Sequence, residues 1–193
     1  MGGSSFGVLA GSDANTIAGN FIGTNSAGTL VRGNGGFGVY IRTNSDQTAN
    51  NNIIGSNNDG SGDNVEGNII ANNLKGIVID PPTAPSTALG NRISRNSIFD
   101  NTQLGIDLGN DNVTGNDNND PDAGPNEYFN FPIISRANVQ GGYLVISGIA
   151  PANAILEFFI ADANGSEGRT YLFTAQEGTT LNGITDDTTG TEL

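Results

Sequence analysis

The sequence predicts an all-β protein: a right-handed parallel β-helix of about three three-sheet turns over residues 1–109, an acidic linker or capping segment over 110–130, and a C-terminal β module over 131–193. Three observations lead there. Short apolar triplets recur in a fixed order, two of the three series behind an asparagine and the third behind a glycine; glycine and asparagine break the chain every few residues; and the repeat stops near residue 108, where aspartates crowd together. With 29 Gly, no Cys, no Trp and 35% hydrophobic residues, the composition alone would also suit a disordered chain. The recurring triplets instead suit a core one or two side chains wide.

Variable loops split the repeat into three interleaved series. The first is Asn15-Thr16-Ile17, Asn52-Ile53-Ile54 and Asn91-Arg92-Ile93, with isoleucines 37 and 39 residues apart. The second is Asn20-Phe21-Ile22, Asn68-Ile69-Ile70 and Asn96-Ser97-Ile98. The third is Gly38-Val39-Tyr40-Ile41, Gly76-Ile77-Val78-Ile79 and Gly105-Ile106-Asp107-Leu108, and Gly7-Val8-Leu9-Ala10 matches it as the remnant of a preceding turn. Strands this short bury nothing alone, but they stack on their equivalents in the next turn at about 4.8 Å. Period-two alternation turns the isoleucines inward, and with them the asparagines two residues earlier. A buried amide must be hydrogen-bonded. Stacked asparagines satisfy one another, so Asn20, Asn68 and Asn96 are expected to form one ladder and Asn25, Asn73 and Asn101 a second. Helix is the competing reading; the β-branched residues and the frequent Gly and Asn oppose it. The segments 24–36, 55–66 and 81–90 are loops at the corners.

The stretches Gly19-Asn20-Phe21-Ile22-Gly23-Thr24-Asn25 and Asn96-Ser97-Ile98-Phe99-Asp100-Asn101, running on to Leu108, resemble repeats of large bacterial secreted proteins of the parallel β-helix repeat superfamily. Within it they are similar to the group whose helix ends in an acidic stretch, followed by segments like Gly124-Pro125-Asn126 and Asn130-Phe131-Pro132. The resemblance implies a secreted or cell-surface context and a C-terminal module that runs on further. It does not select a function, since polysaccharide-acting enzymes and non-catalytic surface proteins share the fold.

After residue 108, Asp111, Asp117, Asp120 and Asp122 stand among asparagines, with Val113 the one large apolar side chain up to Gly124. Such oxygen density suits Ca²⁺, although the spacing is not that of an EF-hand; the alternative is an acidic solvated linker. Beyond it, Phe131–Ile134, Tyr143–Ser147, Ile155–Ile160 and Thr170–Phe173 read as strands, with turns at Gly141-Gly142 and Pro151-Ala152-Asn153. Four strands suggest a small antiparallel β-sandwich-like module, truncated or rearranged, and the polar tail from Gly178 carries no pattern.

Twenty acidic against seven basic residues argue against nucleic acid or an anionic membrane as partner. No apolar run spans a bilayer. Met1-Gly2-Gly3 opens in mid-pattern and reads as the start of a piece cut from a longer secreted precursor. Without histidine or cysteine there is no Ser-His-Asp or Cys-His chemistry. A lyase would draw on Lys75 with Arg92 or Arg95, which stand on different strands. A glycosidase needs two carboxyls about 5–9.5 Å apart; Asp80 and Asp107, the latter expected to face outward, are the candidates, against the plainer reading of a corner and a solvated face residue. Tyr40 shares that outward column as a thin platform for a sugar. The reading that remains is a non-catalytic structural or ligand-presenting module of a large secreted or cell-surface protein. The alternative is a carbohydrate-active or glycan-binding module, with polysaccharide or other surface proteins as partners. Self-association through exposed β-helix ends is the further expectation.

Overall fold

A computed structural model describes residues 6–8, 12–43, 47–80, 87–118 and 120–177. Strands β1 (Phe6–Val8), β4 (Phe37–Arg42), β7 (Lys75–Asp80) and β10 (Ile106–Leu108) form a four-stranded parallel sheet in that order. A second sheet stacks β2 (Thr16–Ile17), β5 (Ile53–Gly55) and β8 (Arg92–Ser94), and a third stacks β3 (Phe21–Ile22), β6 (Ile69–Ala71) and β9 (Ser97–Phe99). Chain order thus cycles through the three sheets turn after turn, which makes a parallel β-helix. Its strands are rich in isoleucine and valine, whose branched side chains pack well on a pleated surface.

The registers stack like on like. Ile17, Ile54 and Ile93 pair in one column, Ile22, Ile70 and Ile98 in another, and Val39, Ile77 and Ile106 beside Ile41, Ile79 and Leu108 in the four-stranded sheet. The core consists of these columns with Ala49 and Ala88. Ile106, last in its column, is 45% exposed. One register differs from expectation: Gly7 and Val8 pair with Tyr40 and Ile41, two residues further along than the match of Gly7 to Gly38 predicts. Residues 9 and 10 of that match lie outside the described residues, as do 81–86 of the third loop. The second loop carries a single helical turn, α1 (Asp63–Glu66).

Corners set the short strands. Ala14, Asn51 and Gly90, then Gly19 and Arg95, then Asn72 and Asp100 all have positive φ, each one residue before an inward-pointing asparagine. That left-handed step turns the chain sharply, and Gly, Asn and Asp tolerate it at least cost. Where the chain enters the four-stranded sheet, Gly38 and Gly76 leave no room for a side chain. A Cβ on Gly76 would stand 2.4 Å from the Gly105 carbonyl oxygen and 3.0 Å from Ile98 Cγ2.

Two antiparallel two-stranded sheets form a small sandwich-like module after the solenoid. One pairs β11 (Ile133–Gln140) with β12 (Tyr143–Ile149), the other β13 (Ile155–Ala161) with β14 (Gly168–Gln176). The expected strand at Phe131–Ile134 begins at Ile133 and runs on to Gln140. Ser135–Gln140 is too polar to announce a strand, and it becomes one by pairing with β12 across Gly141-Gly142, whose φ values of 59° and 86° make the mirror-image hairpin turn. Strand β14 lies along β9, so one hairpin covers the last turn of the solenoid.

Candidate functional site

Three side-chain ladders run along the solenoid. In the first, Asn52 Oδ1 accepts the Asn15 backbone N–H and Nδ2, both at 2.9 Å. Asn91 Oδ1 does the same for Asn52 at 3.0 and 2.9 Å. In the second, Asn68 Oδ1 takes the backbone N–H and Nδ2 of Asn20, both at 3.0 Å, and Asn96 Oδ1 takes those of Asn68 at 3.0 and 2.8 Å. Asn68 Nδ2 also donates across the core to the Ile17 carbonyl at 2.8 Å. In the third, Asn101 Oδ1 accepts the same pair from Asn73 at 2.9 and 3.1 Å. Asn52, Asn68, Asn73, Asn91, Asn96 and Asn101 are all buried. In every rung the earlier turn donates and the later turn accepts.

Asn25 is not in its expected ladder. Its Oδ1 accepts the backbone N–H groups of Thr29 and Leu30 in a local loop, and the rung above Asn73 is Asn34, whose N–H donates to Asn73 Oδ1 at 3.0 Å. An insertion between β3 and the next corner moves the rung nine positions along the chain. The equal spacing of Asn25, Asn73 and Asn101 from their isoleucines is therefore not a structural equivalence.

The donors left by the last turn meet acceptors from the segments that follow. Asn126, on a 3-10 turn at Pro125–Tyr128, accepts the Asn91 N–H at 2.9 Å and donates Nδ2 to the Asn91 carbonyl at 2.7 Å. Glu167 takes the Asn101 N–H on Oε2 at 2.8 Å and Asn101 Nδ2 on Oε1 at 2.9 Å, and so stands where a fourth asparagine would. Glu157 accepts from Ser94 Oγ at 2.6 Å and from the Arg95 N–H at 2.8 Å. Arg169 lies over the Phe99 ring at 4.3 Å, and Arg95 over Tyr171 at 5.2 Å. Burial pushes the Glu167 carboxyl above its ordinary range against the bonds from Asn101 that favour its charge. At Asp162, burial acts the same way but the N–H groups of Ser166, Asp100, Glu167 and Gly165 overcome it and hold the carboxyl low. A cavity of about 180 Å³ remains between hairpin and solenoid, walled by Ile93, Ile98, Glu157 and Phe159 among others. Of the edge expected to lie open after the third turn, the hairpin thus covers the β8 and β9 end, while Ile106 on β10 stays largely exposed.

The outer column of the four-stranded sheet does not form the expected open face. Tyr40, Val78 and Asp107 pair side by side, but Val78 is fully buried and Asp107 is 1% exposed. The chain folds back over the column: Asn112 N–H reaches Asp107 Oδ2 at 3.4 Å and Tyr128 stacks onto Gly109. Asp107 instead forms an ion pair with Lys75, Nζ to Oδ2 at 2.5 Å. Asp80 accepts the Tyr40 hydroxyl at 2.7 Å. Burial, followed by that bond and the charge of Asp80, pushes the Tyr40 phenol up to about 12, while its ring packs edge-on against Phe37 at 4.7 Å. Both carboxyls of the candidate glycosidase pair are therefore engaged in side-chain bonds. The expectation that Asp107 faces solvent fails because strand alternation fixes which face a side chain takes and not what covers that face. The three candidate lyase residues point to separate partners: Lys75 to Asp107, Arg92 to the Asn57 carbonyl at 2.7 Å, and Arg95 to Asp63 at 3.5 Å.

In the acidic segment, Asp117 pairs with Asn130 in two-point fashion, its N–H donating to Oδ1 at 3.0 Å and its carbonyl accepting Nδ2 at 2.9 Å. Burial, then the charges of Asp122 and Asp120, raise the Asp117 carboxyl. Oδ1 of Asp117 and Oδ1 of Asp120 are buried without a hydrogen-bond partner. Asp111 stands apart, beside Gly109 and Tyr128. Among the described residues no three acidic side chains are arranged to hold a metal ion.

No protein-family model matches the chain, and no solved structure matches it significantly.

Proposed function

We propose that the chain is a rigid, non-catalytic spacer or ligand-presenting module of a larger secreted or cell-surface protein, organised as a β-helix, a capping segment and a C-terminal β module with boundaries near residues 109 and 130. The observation that carries this is the continuity of the ladders. From turn to turn the ladder asparagines donate their N–H groups onward to the next, and at the end of the solenoid Asn126 meets the Asn91 N–H, Glu167 the Asn101 N–H, and Glu157 the N–H of Arg95 beside Asn96. A solenoid bonded along its whole length transmits force and position rather than opening a cleft. No helix among the described residues is long and apolar enough to cross a membrane, and the acidic balance of the chain repels nucleic acid.

The discriminating experiment sets a glycan array beside reducing-sugar and unsaturated-uronate assays. Our reading expects no turnover. Product formation that disappears in Asp107→Asn would establish an enzyme, and saturable glycan binding without product would establish a lectin-like role on the same scaffold. We further propose Asp117, Asp120 and Asp122 as carboxylates that a hard cation such as Ca²⁺ would draw together, on the strength of the raised Asp117 carboxyl and the two unpartnered oxygens. Calorimetric titration of chelator-treated protein should release heat on Ca²⁺ addition and raise the melting temperature. An absence of both leaves the segment as an acidic linker.

A further inference from the structure

Lys75 is the single lysine of the chain; its other six basic residues are arginines. It is 6% exposed, in a strand position beside Phe37, and its amine lies 2.5 Å from Asp107 Oδ2 and 2.9 Å from Asn110 Oδ1. A buried ion pair contributes little to stability compared with an apolar packing of the same volume, so stability alone is a poor reason for this arrangement. Its chemistry is more specific. A buried primary amine and a buried carboxylate on the outer face of the four-stranded sheet meet a carboxamide from the exposed residue Asn110 at its margin, and arginine could replace the charge of the lysine but not its nucleophilicity. The loop supplies the amide by design: Gly109 and Asn110 are both left-handed, at φ 93° and 61°, which folds the Asn110 side chain back onto Lys75. Asp107 Oδ1 is buried and has no hydrogen-bond partner.

We propose that this cluster forms an intramolecular amide crosslink between Lys75 Nζ and Asn110 Cγ. The Lys75 ammonium passes a proton to Asp107 along their 2.5 Å contact, and the freed lone pair attacks Asn110 Cγ, one carbonyl bond of about 1.2 Å beyond the oxygen it now touches. A C–N bond forms and the carbonyl electrons move onto oxygen. Asp107 then delivers a proton to Nδ2 and removes one from the attacking nitrogen. As the carbonyl re-forms, the Cγ–Nδ2 bond breaks and ammonia departs, taking up the last proton as ammonium and leaving Asp107 ionised. Atoms and charge balance without oxidant or cofactor: one ammonium and one carboxamide become one substituted amide and one ammonium ion. Asp107 touches the attacking amine through Oδ2, and its unpartnered Oδ1 is the oxygen left to serve the amide nitrogen, so it is the acid–base residue. In a chain without cysteine, such a bond would tie β7 to the loop that follows β10.

The test is the intact mass of the purified full-length chain, held folded at neutral pH and then denatured, followed by peptide mapping. The expected result is a mass lower than the sequence requires by one ammonia, with a branched peptide joining Lys75 to Asn110. Lys75→Arg and Asp107→Asn should each restore the full mass. An unshifted wild-type mass overturns the proposal, and so does an ammonia loss that persists in Lys75→Arg, because that places the loss in a succinimide at Asn110. Should either variant fail to fold, the wild-type peptide map alone decides, since only the crosslink gives a branched peptide.

Discussion

Replacing Asn68 by leucine tests the ladder where it is most enclosed. Asn68 is fully buried, and its side chain takes part in four hydrogen bonds: Oδ1 accepts two from Asn20, and Nδ2 donates to Asn96 Oδ1 and to the Ile17 carbonyl. The two bonds to Asn20 lie near the first turn, where water can replace the lost oxygen. The two from Nδ2 do not have that relief. Each is worth about 1 kcal/mol net, and a stranded buried carbonyl such as that of Ile17 costs about 1–3 kcal/mol. Leucine returns part of this through added apolar burial, so the expected net loss is about 1–3 kcal/mol. Asn57→Leu is the control, because its amide bonds only Asp59 within a loop, and a change within about 0.5 kcal/mol is expected there. Urea unfolding reads both. Equal midpoints for the two variants, with the wild-type slope retained, would refute the ladder as a source of stability.

Glu167→Gln keeps the shape but turns an amide donor toward Asn101; it should cost about 1–3 kcal/mol and speed hydrogen exchange at the Asn101 amide, and unchanged exchange would count against the cap. Asp162 has a folded value below its ordinary 3.8, so its contribution is complete above 3.8 and is lost as the pH falls through the lower folded value. Glu167, raised by burial, acts with the opposite sign: its contribution is present below its ordinary value of 4.5 and is lost as the pH rises through the folded one. Asp162→Asn should therefore flatten the acid limb of a melting-temperature profile, and a limb of wild-type slope would remove Asp162 as its source. Gly76→Ala forces a methyl to 2.4 Å from the Gly105 carbonyl oxygen; it should cost about 1–3 kcal/mol as overpacking, and a variant as stable as wild type would mean that the two turns can part.

The stacked columns were legible because the strands of two sheets repeat both an isoleucine and the asparagine two residues earlier, and those of the third repeat a glycine before alternating apolar residues, a coupled signal that loop length does not erase. Asn34 was hidden by that same loop: counting from Ile22 leads to Asn25, and only the close pass of Gly33 against the Asn72 carbonyl brings Asn34 into the rung. Glu157 and Glu167 were missed because they reach the last turn from a hairpin with no repeat pattern, and Glu167, the one that continues a ladder, offers a carboxylate where the pattern leads one to look for an amide. Asn126 lay in plain view within Gly124-Pro125-Asn126, yet no sequence spacing ties it to Asn91. Asp107 shows the limit of alternation most directly. Period two assigned it to the outer face, and the fold-back of Asn110 and Asn112, whose positive φ values no hydropathy pattern reveals, made that face an interior.

The common direction of the ladder bonds makes the solenoid a polar object with unlike ends. Along each asparagine ladder a turn presents its N–H groups forward and its amide oxygen backward, so turns are interchangeable along the axis, and a turn could be inserted or deleted between Asn52 and Asn91 while both neighbours kept their ladder partners. Length can then vary without redesign of the terminus, since the carboxylates of Glu157 and Glu167 need only find the donors of whichever turn comes last.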